Sequence, residues 1–170
     1  LAWLFYTSGT TGKPKGVIQT HRNLWTMTAC YFTDVDEVDP HDAIIYAAPM
    51  SHGAGLYNFA FVAKAAKHIV PKSGGFDPEE LVKLSKSVGR LCMFGAPTMV
   101  KRLVEYIQQS KSSSDGFKTI VYGGGPMYVE DIRLALDVMG PRFVQIYGQG
   151  ESPMTITALS REQISDRTHP

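Results

Sequence analysis

Between Thr7 and Gly16 the chain places four aliphatic hydroxyls (Thr7, Ser8, Thr10, Thr11), three glycines (Gly9, Gly12, Gly16) and two lysines (Lys13, Lys15). Glycine permits tight turns that aim several backbone N–H groups into one concavity, and such a concavity binds an anion. The hydroxyls add donors, and the lysines bring positive charge to phosphoryl oxygens. A polyphosphate is the ligand this chemistry suits. A solvent loop has a similar composition, so on composition alone that alternative stays open. The run is not a Walker A loop. Gly9 and Gly12 are too close together, and Pro14 stands where the magnesium-binding Ser or Thr belongs.

Three further segments have residue types suited to a ligand. Gly123-Gly124-Gly125-Pro126 strips side chains from a place where a flat group can lie on backbone, although a tight strand-to-helix turn needs the same residues. Tyr147-Gly148-Gln149-Gly150-Glu151 offers an aromatic face and a carboxylate. It is not a dinucleotide fingerprint, because Pro153 occupies the third glycine position. Ser51-His52-Gly53 has the look of a hydrolase pair. However, the chain has no G-x-S-x-G elbow and no identifiable acidic partner, so His52 is a structural histidine or a ligand contact. The scattered histidines and two lone cysteines show no zinc spacing.

Tyr6 to Gly16, followed by Val17, resembles the phosphate-loop signature of the adenylate-forming (AMP-binding) superfamily. Its members include acyl-CoA synthetases, aryl-CoA ligases, beetle luciferases and peptide-synthetase adenylation domains. Three weaker motifs follow in the family's order: Thr20-His21-Arg22-Asn23, the Gly123–Pro126 stretch and the Tyr147–Glu151 stretch. The resemblance implies ATP, Mg2+ and coenzyme A as cofactors and co-substrate, and a small-molecule carboxylate as partner. It implies that Thr7, Ser8, Gly9, Thr10, Thr11, Gly12 and Lys13 hold phosphates, with Thr7, Lys13 and Glu151 closest to the chemistry. Gly123, Gly124, Gly125, Pro126 and Gly148 would line the adenine pocket, with Tyr147 stacked on the base. Glu151 would hold the metal. His52, Gly53, Gly125 and Gly148 would border the acyl group. Gly150 departs from the pattern, since the family has a threonine there whose hydroxyl meets a phosphate. The implied activity is an ATP-dependent carboxylate–CoA ligase. An adenylation module loading a carrier-protein thiol and an inactive nucleotide-binding relative are the alternatives.

The elements that would carry these segments alternate. Leu1–Phe5 reads as a buried strand, and Thr20 caps a helix from His21 with Leu24, Met27, Thr28 and Tyr31 on one face. Asp34–Asp42 reads as an acidic surface connection. Ala43–Ala48 is a strand, and an apolar helix runs on to Val62. His68–Pro71, Arg90–Phe94, Lys118–Tyr122 and Arg142–Tyr147 are further strands, with Thr155–Thr157 another candidate. Helices are expected from Asp77, from Ala96 to Gln109 and from Met127 to Met139. Ser110–Gly116 forms a loop, and Ser160–Pro170 a polar tail without a closing element. Strands without alternating polarity, separated by helices, predict an α/β fold: a mostly parallel sheet with helices on both faces. Ligands of such sheets sit beyond the carboxyl ends of the strands, where all four special segments fall.

A content of 44% apolar and 19% charged residues in 170 is that of a folded domain. A net charge of +1 with the signs interspersed gives no footprint for nucleic acid or an anionic membrane. No run is long enough to span a bilayer. Cys30 and Cys92 read as free thiols in a reducing, cytoplasmic setting. Self-association is left open. Residues 1–170 read as an internal, partial ATP- and acyl-binding domain, with the ribose-binding region and a small C-terminal domain lying outside them.

Overall fold

The computed structural model describes residues 1–7 and 12–168. Ser8, Gly9, Thr10 and Thr11, the centre of the candidate phosphate loop, lie outside the described residues. Strands β1 (Trp3–Thr7) and β2 (Lys15–Gln19) pair antiparallel as a separate ribbon. Phe5 on its inner face is buried, while Leu4 and Tyr6 on the outer face are exposed. The opening strand is therefore buried on one side only, because it lies off the main sheet.

Helix α1 (His21–Cys30) begins with a reciprocal cap between Thr20 and Asn23 and runs into a π-helical turn, Tyr31–Val35. The main sheet then forms from β3 (Ala43–Ile45), β4 (Lys67–Ile69), β5 (Leu91–Gly95), β6 (Phe117–Tyr122), β7 (Phe143–Tyr147) and β8 (Thr157–Leu159). Their order is β4-β3-β5-β6-β7-β8, with all pairings parallel except the antiparallel β7–β8. Between them run α2 (Gly53–Leu56), α3 (Asn58–Ala63), α4 (Pro78–Val88), α5 (Pro97–Ser110) and α6 (Val129–Met139), with α7 (Arg161–Ser165) after β8. The single apolar helix expected up to Val62 is broken at Tyr57.

Side chains alternate across the sheet and build two cores. Ile44, Cys92, Val121 and Val144 face Phe5, Leu24, Met27, Tyr31 and Phe61. Ala43, Ile45, Leu91, Met93, Ile120 and Phe143 face Leu81, Leu103, Ile107, Ala135 and Met139 of α4, α5 and α6. Both faces are covered, which explains why the strands read as continuous apolar runs. Cys30 and Cys92 are free thiols. No described helix is long and apolar enough to cross a membrane.

Two polar segments depart from expectation. The acidic connection Asp34–Asp42 is not simply surface, because Val35, Val38 and Asp42 are buried. Asp42 accepts from Arg90 Nε at 2.6 Å and Lys118 Nζ at 2.6 Å. Asp36 accepts from Thr119 and from Arg161 at 2.5 Å. The polar tail contains a helix, α7, capped reciprocally by Ser160 and Gln163, and its first residue, Arg161, belongs to this ionic cluster. Local polarity suggests solvent for both segments. Partners 42 to 125 residues away in sequence bury the Asp36 and Asp42 carboxylates instead and tie Arg161 of the tail, itself only partly buried, to Asp36.

Candidate functional site

Because β3, β5, β6 and β7 run parallel, their carboxyl ends share one edge of the sheet. The turn through Ser51–Gly53, the Gly95–Pro97 corner, Gly123–Pro126 and Gly148–Glu151 continue from those ends. The ribbon leans on the same edge. A methyl placed on Gly150 would overlap Thr7 Cγ2 and come within 3.1 Å of Phe5 Cδ1. Gln19 Nε2 donates to the Gly150 carbonyl at 2.7 Å, and the Phe5 ring lies 6.2 Å from the His52 ring. Thr7, at the mouth of the loop, thus meets the turn after β7 directly, on one side of the sheet, with His52 nearby.

Tyr147 is 52% exposed at the end of β7, and its phenol oxygen accepts from Gln149 Nε2 at 2.6 Å. The glycines divide into two groups. A Cβ on Gly123 would sit 2.5 Å from the Ile146 carbonyl oxygen, and one on Gly148 would strike the Met154 carbonyl. At those two positions the missing side chain lets main chain pack on main chain. Gly124 and Gly53 face open space, and Gly125 has only an ordinary contact with Pro97 at 3.8 Å, so room for a ligand remains there. Pro126, Gly12 and Lys13 are exposed.

Glu151 is exposed beside a cavity of about 320 Å³ lined by Arg22, Asn23, Thr26, Met27, Glu151 and Thr155. Among the described residues no group of three or more His, Cys, Asp or Glu side chains is placed to hold a metal ion. A single open carboxylate fits Mg2+, which binds through one or two carboxylates and completes its shell with substrate phosphates and water.

Sequence reasoning passed over three contributors: Gln19, Phe5 and the α1 face carrying Arg22 and Met27. Gln19 carried a readable signal, being a polar residue on the strand face shared with Val17. The other two depend on how the ribbon and α1 pack against the turn.

The ionic cluster lies at the amino edge, away from these segments. Burial opposes ionisation of Asp42. The Lys118 ammonium, the Asp39 N–H and the Arg90 guanidinium outweigh it and hold the carboxyl below the usual carboxylate range. Burial pushes the Cys92 thiol up to about 12, so it is protonated at neutral pH and is not a poised nucleophile.

The special loops thus gather at the carboxyl edge of an open α/β sheet, where proteins of this class bind their ligands. The chain belongs to the AMP-binding enzyme family, whose model matches residues 1–169. It is similar to the medium/long-chain-fatty-acid–CoA ligase FadD8 of Mycobacterium tuberculosis, at 31% identity over 158 residues, covering 93% of this chain and 27% of that protein. It is also similar to a feruloyl-CoA synthase of an Amycolatopsis species, at 28% identity, covering 96% of this chain and 33% of that one. Among solved structures it resembles the O-succinylbenzoate coenzyme A synthetase MenE of Bacillus subtilis in complex with AMP. There the TM-score is 0.80 at 27% identity, covering 94% of this chain and 39% of that one. The chain thus spans roughly a third of the length of these relatives.

Proposed function

We propose that the chain is the central part of an ATP-dependent carboxylate–CoA ligase, consistent with its spanning roughly a third of its relatives' length. A carboxylate oxygen attacks the α-phosphorus of ATP, the bond to the bridging oxygen breaks, and pyrophosphate leaves. The thiol of coenzyme A then attacks the acyl carbon, releasing AMP and losing its proton. Both reactants of the first step are anions, so the protein's task is alignment and charge neutralisation. No side-chain nucleophile is required.

In this reading Thr7, Ser8, Gly9, Thr10, Thr11, Gly12 and Lys13 take the β- and γ-phosphates. Tyr147 stacks on adenine, with Gly123–Pro126 and Gly148 as the wall of its pocket. His52, Gly53, Gly125 and Gly148 border the carboxylate, in a setting we take to be cytoplasmic. Glu151 is the residue that would hold Mg2+, which supplies neutralisation of phosphate charge when bound. The observation that carries the reading is the contact between Thr7 and the Gly150 turn, since one nucleotide must reach both the loop and Tyr147. The test is carboxylate-dependent ATP–pyrophosphate exchange by the full-length protein across a panel of acids, followed by an assay with coenzyme A or a carrier thiol as acceptor. Exchange with some acid and thioester formation with coenzyme A are expected. Absence of exchange with every acid refutes the reading, and full exchange by the 170-residue chain alone refutes its being a part.

A further inference from the structure

We propose that Gln19 is a positioning residue for the Glu151 carboxylate: its side-chain amide grips the Gly150 peptide and locks the turn bearing Glu151 to the ribbon bearing the phosphate loop. This rests on the function proposed above.

Gln19 is 1% exposed and sits directly opposite Trp3 in the ribbon, on the inner face with Phe5 and Val17. That is an apolar place for an amide. Its Nε2 reaches Gly150 O at 2.7 Å across 131 residues of sequence, while its Oε1 is buried with no partner among the described residues. One bond made to a neutral carbonyl and one acceptor left unpaired roughly cancel, so the amide adds little to net stability. What the amide does is hold one peptide in place. The tip of that turn is otherwise open, with Gln149, Glu151 and Ser152 exposed. Gly150 and Gln19 fit each other, because only a residue without Cβ lets this peptide approach Thr7 and Phe5 closely enough to be gripped. The amide therefore sets where the Glu151 carboxylate stands relative to phosphates held by the loop.

The test uses the full-length protein and its Gln19→Leu variant, which keeps the volume and removes the donor. The exchange rate should fall about tenfold, and the Mg2+ concentration for half-maximal exchange should rise by a similar factor, the worth of one lost hydrogen bond. The KM for the carboxylate should hold, and the thermal midpoint should change little, because the unpaired Gln19 Oε1 is removed as the Gly150 carbonyl loses its donor. A second variant, Gln19→Glu, supplies a pH readout. Burial raises the carboxyl pKa, and only the protonated form can donate to Gly150. Its exchange rate relative to wild type should therefore climb as pH falls from 8 to 6. A lowered midpoint with unchanged Mg2+ dependence in Gln19→Leu, or a flat pH ratio in Gln19→Glu, overturns the proposal. If wild type exchanges and Gln19→Leu matches it, only the positioning role fails. If wild type exchanges with no acid, the functional reading fails and takes this inference with it.

Discussion

Replacing Gly150 by threonine restores the residue that the adenylate-forming family has at this position, so by resemblance alone Gly150→Thr should improve the enzyme. The packing predicts the reverse. Apolar atoms rest about 3.5–4.0 Å apart, but a Cβ at Gly150 would lie 3.1 Å and 3.3 Å from two Phe5 ring carbons and would overlap Thr7 Cγ2. Phe5 cannot retreat. It is 6% exposed, with its ring edge-on to Trp3 at 5.9 Å and tilted against His52 at 6.2 Å. Thr7 is tied into the ribbon opposite Lys15, so its backbone cannot withdraw, and relief on that side depends on turning its side chain. The Gly150 peptide should therefore shift outward by about 0.5–1 Å, which stretches the 2.7 Å Gln19 hydrogen bond to the edge of its range or past it. Overpacking costs about 1–3 kcal/mol and the lost bond about 1 kcal/mol, so Gly150→Thr should destabilise by about 2–4 kcal/mol. Denaturant unfolding of wild type, Gly150→Thr, Thr7→Ser and the double variant measures this directly. Thr7→Ser removes the clashing methyl, so the cycle should show a coupling of at least about 1 kcal/mol. A Gly150→Thr protein as stable as wild type, or two strictly additive substitutions, would refute the packing argument.

Asp42→Asn should cost about 3 kcal/mol in denaturant unfolding at pH 7, because it strips charge from a fully buried carboxylate that pairs with Lys118 and Arg90. The folded-state pKa of Asp42 is depressed. Its stabilisation is therefore complete above the unfolded value of about 3.9 and is lost as pH falls through the folded one. Wild type should lose stability below about pH 4, and the variant should lose less between pH 5 and pH 3; equal losses would contradict this. Tyr57→Phe should raise the unfolding free energy by about 1 kcal/mol, since the Tyr57 hydroxyl is buried without a partner among the described residues. A drop would mean that the hydroxyl is paired. An aromatic disulfide reagent at pH 8 should titrate Cys30 well before Cys92, which is 2% exposed and held protonated by burial. Equal rates would contradict that environment.

Much of the architecture is legible in the sequence because its determinants are local. Thr20 and Asp77 mark helix starts through residues three positions on, and the structure shows both caps. Unbroken apolar runs such as Leu91–Met93 and Ile120–Tyr122 announce strands covered on both faces, and they are. The phosphate-type loop and the other special segments can be read from composition and spacing, and the edge they share follows from strand alternation. What cannot be read is set by groups far apart in sequence. Asp36 and Asp42 look like surface acids, but Arg90, Lys118 and Arg161 are waiting for them in the fold. Whether Gly123 serves a ligand or a tight turn is open in the sequence, and only the fold shows that carbonyl oxygens of Ile146 and Met154 occupy the space a Cβ would need at Gly123 and Gly148.

Taken alone, the order of residues determined the layered α/β scheme, the helix starts and the kinds of group available at the carboxyl edge. Hydrophobic period, capping and turn chemistry all act over a few neighbouring residues. Only the tertiary structure decided that Thr7 rests on Gly150 and that Gln19 grips its carbonyl. Contacts spanning more than a hundred residues depend on how the ribbon docks on the sheet, and no local pattern encodes that docking.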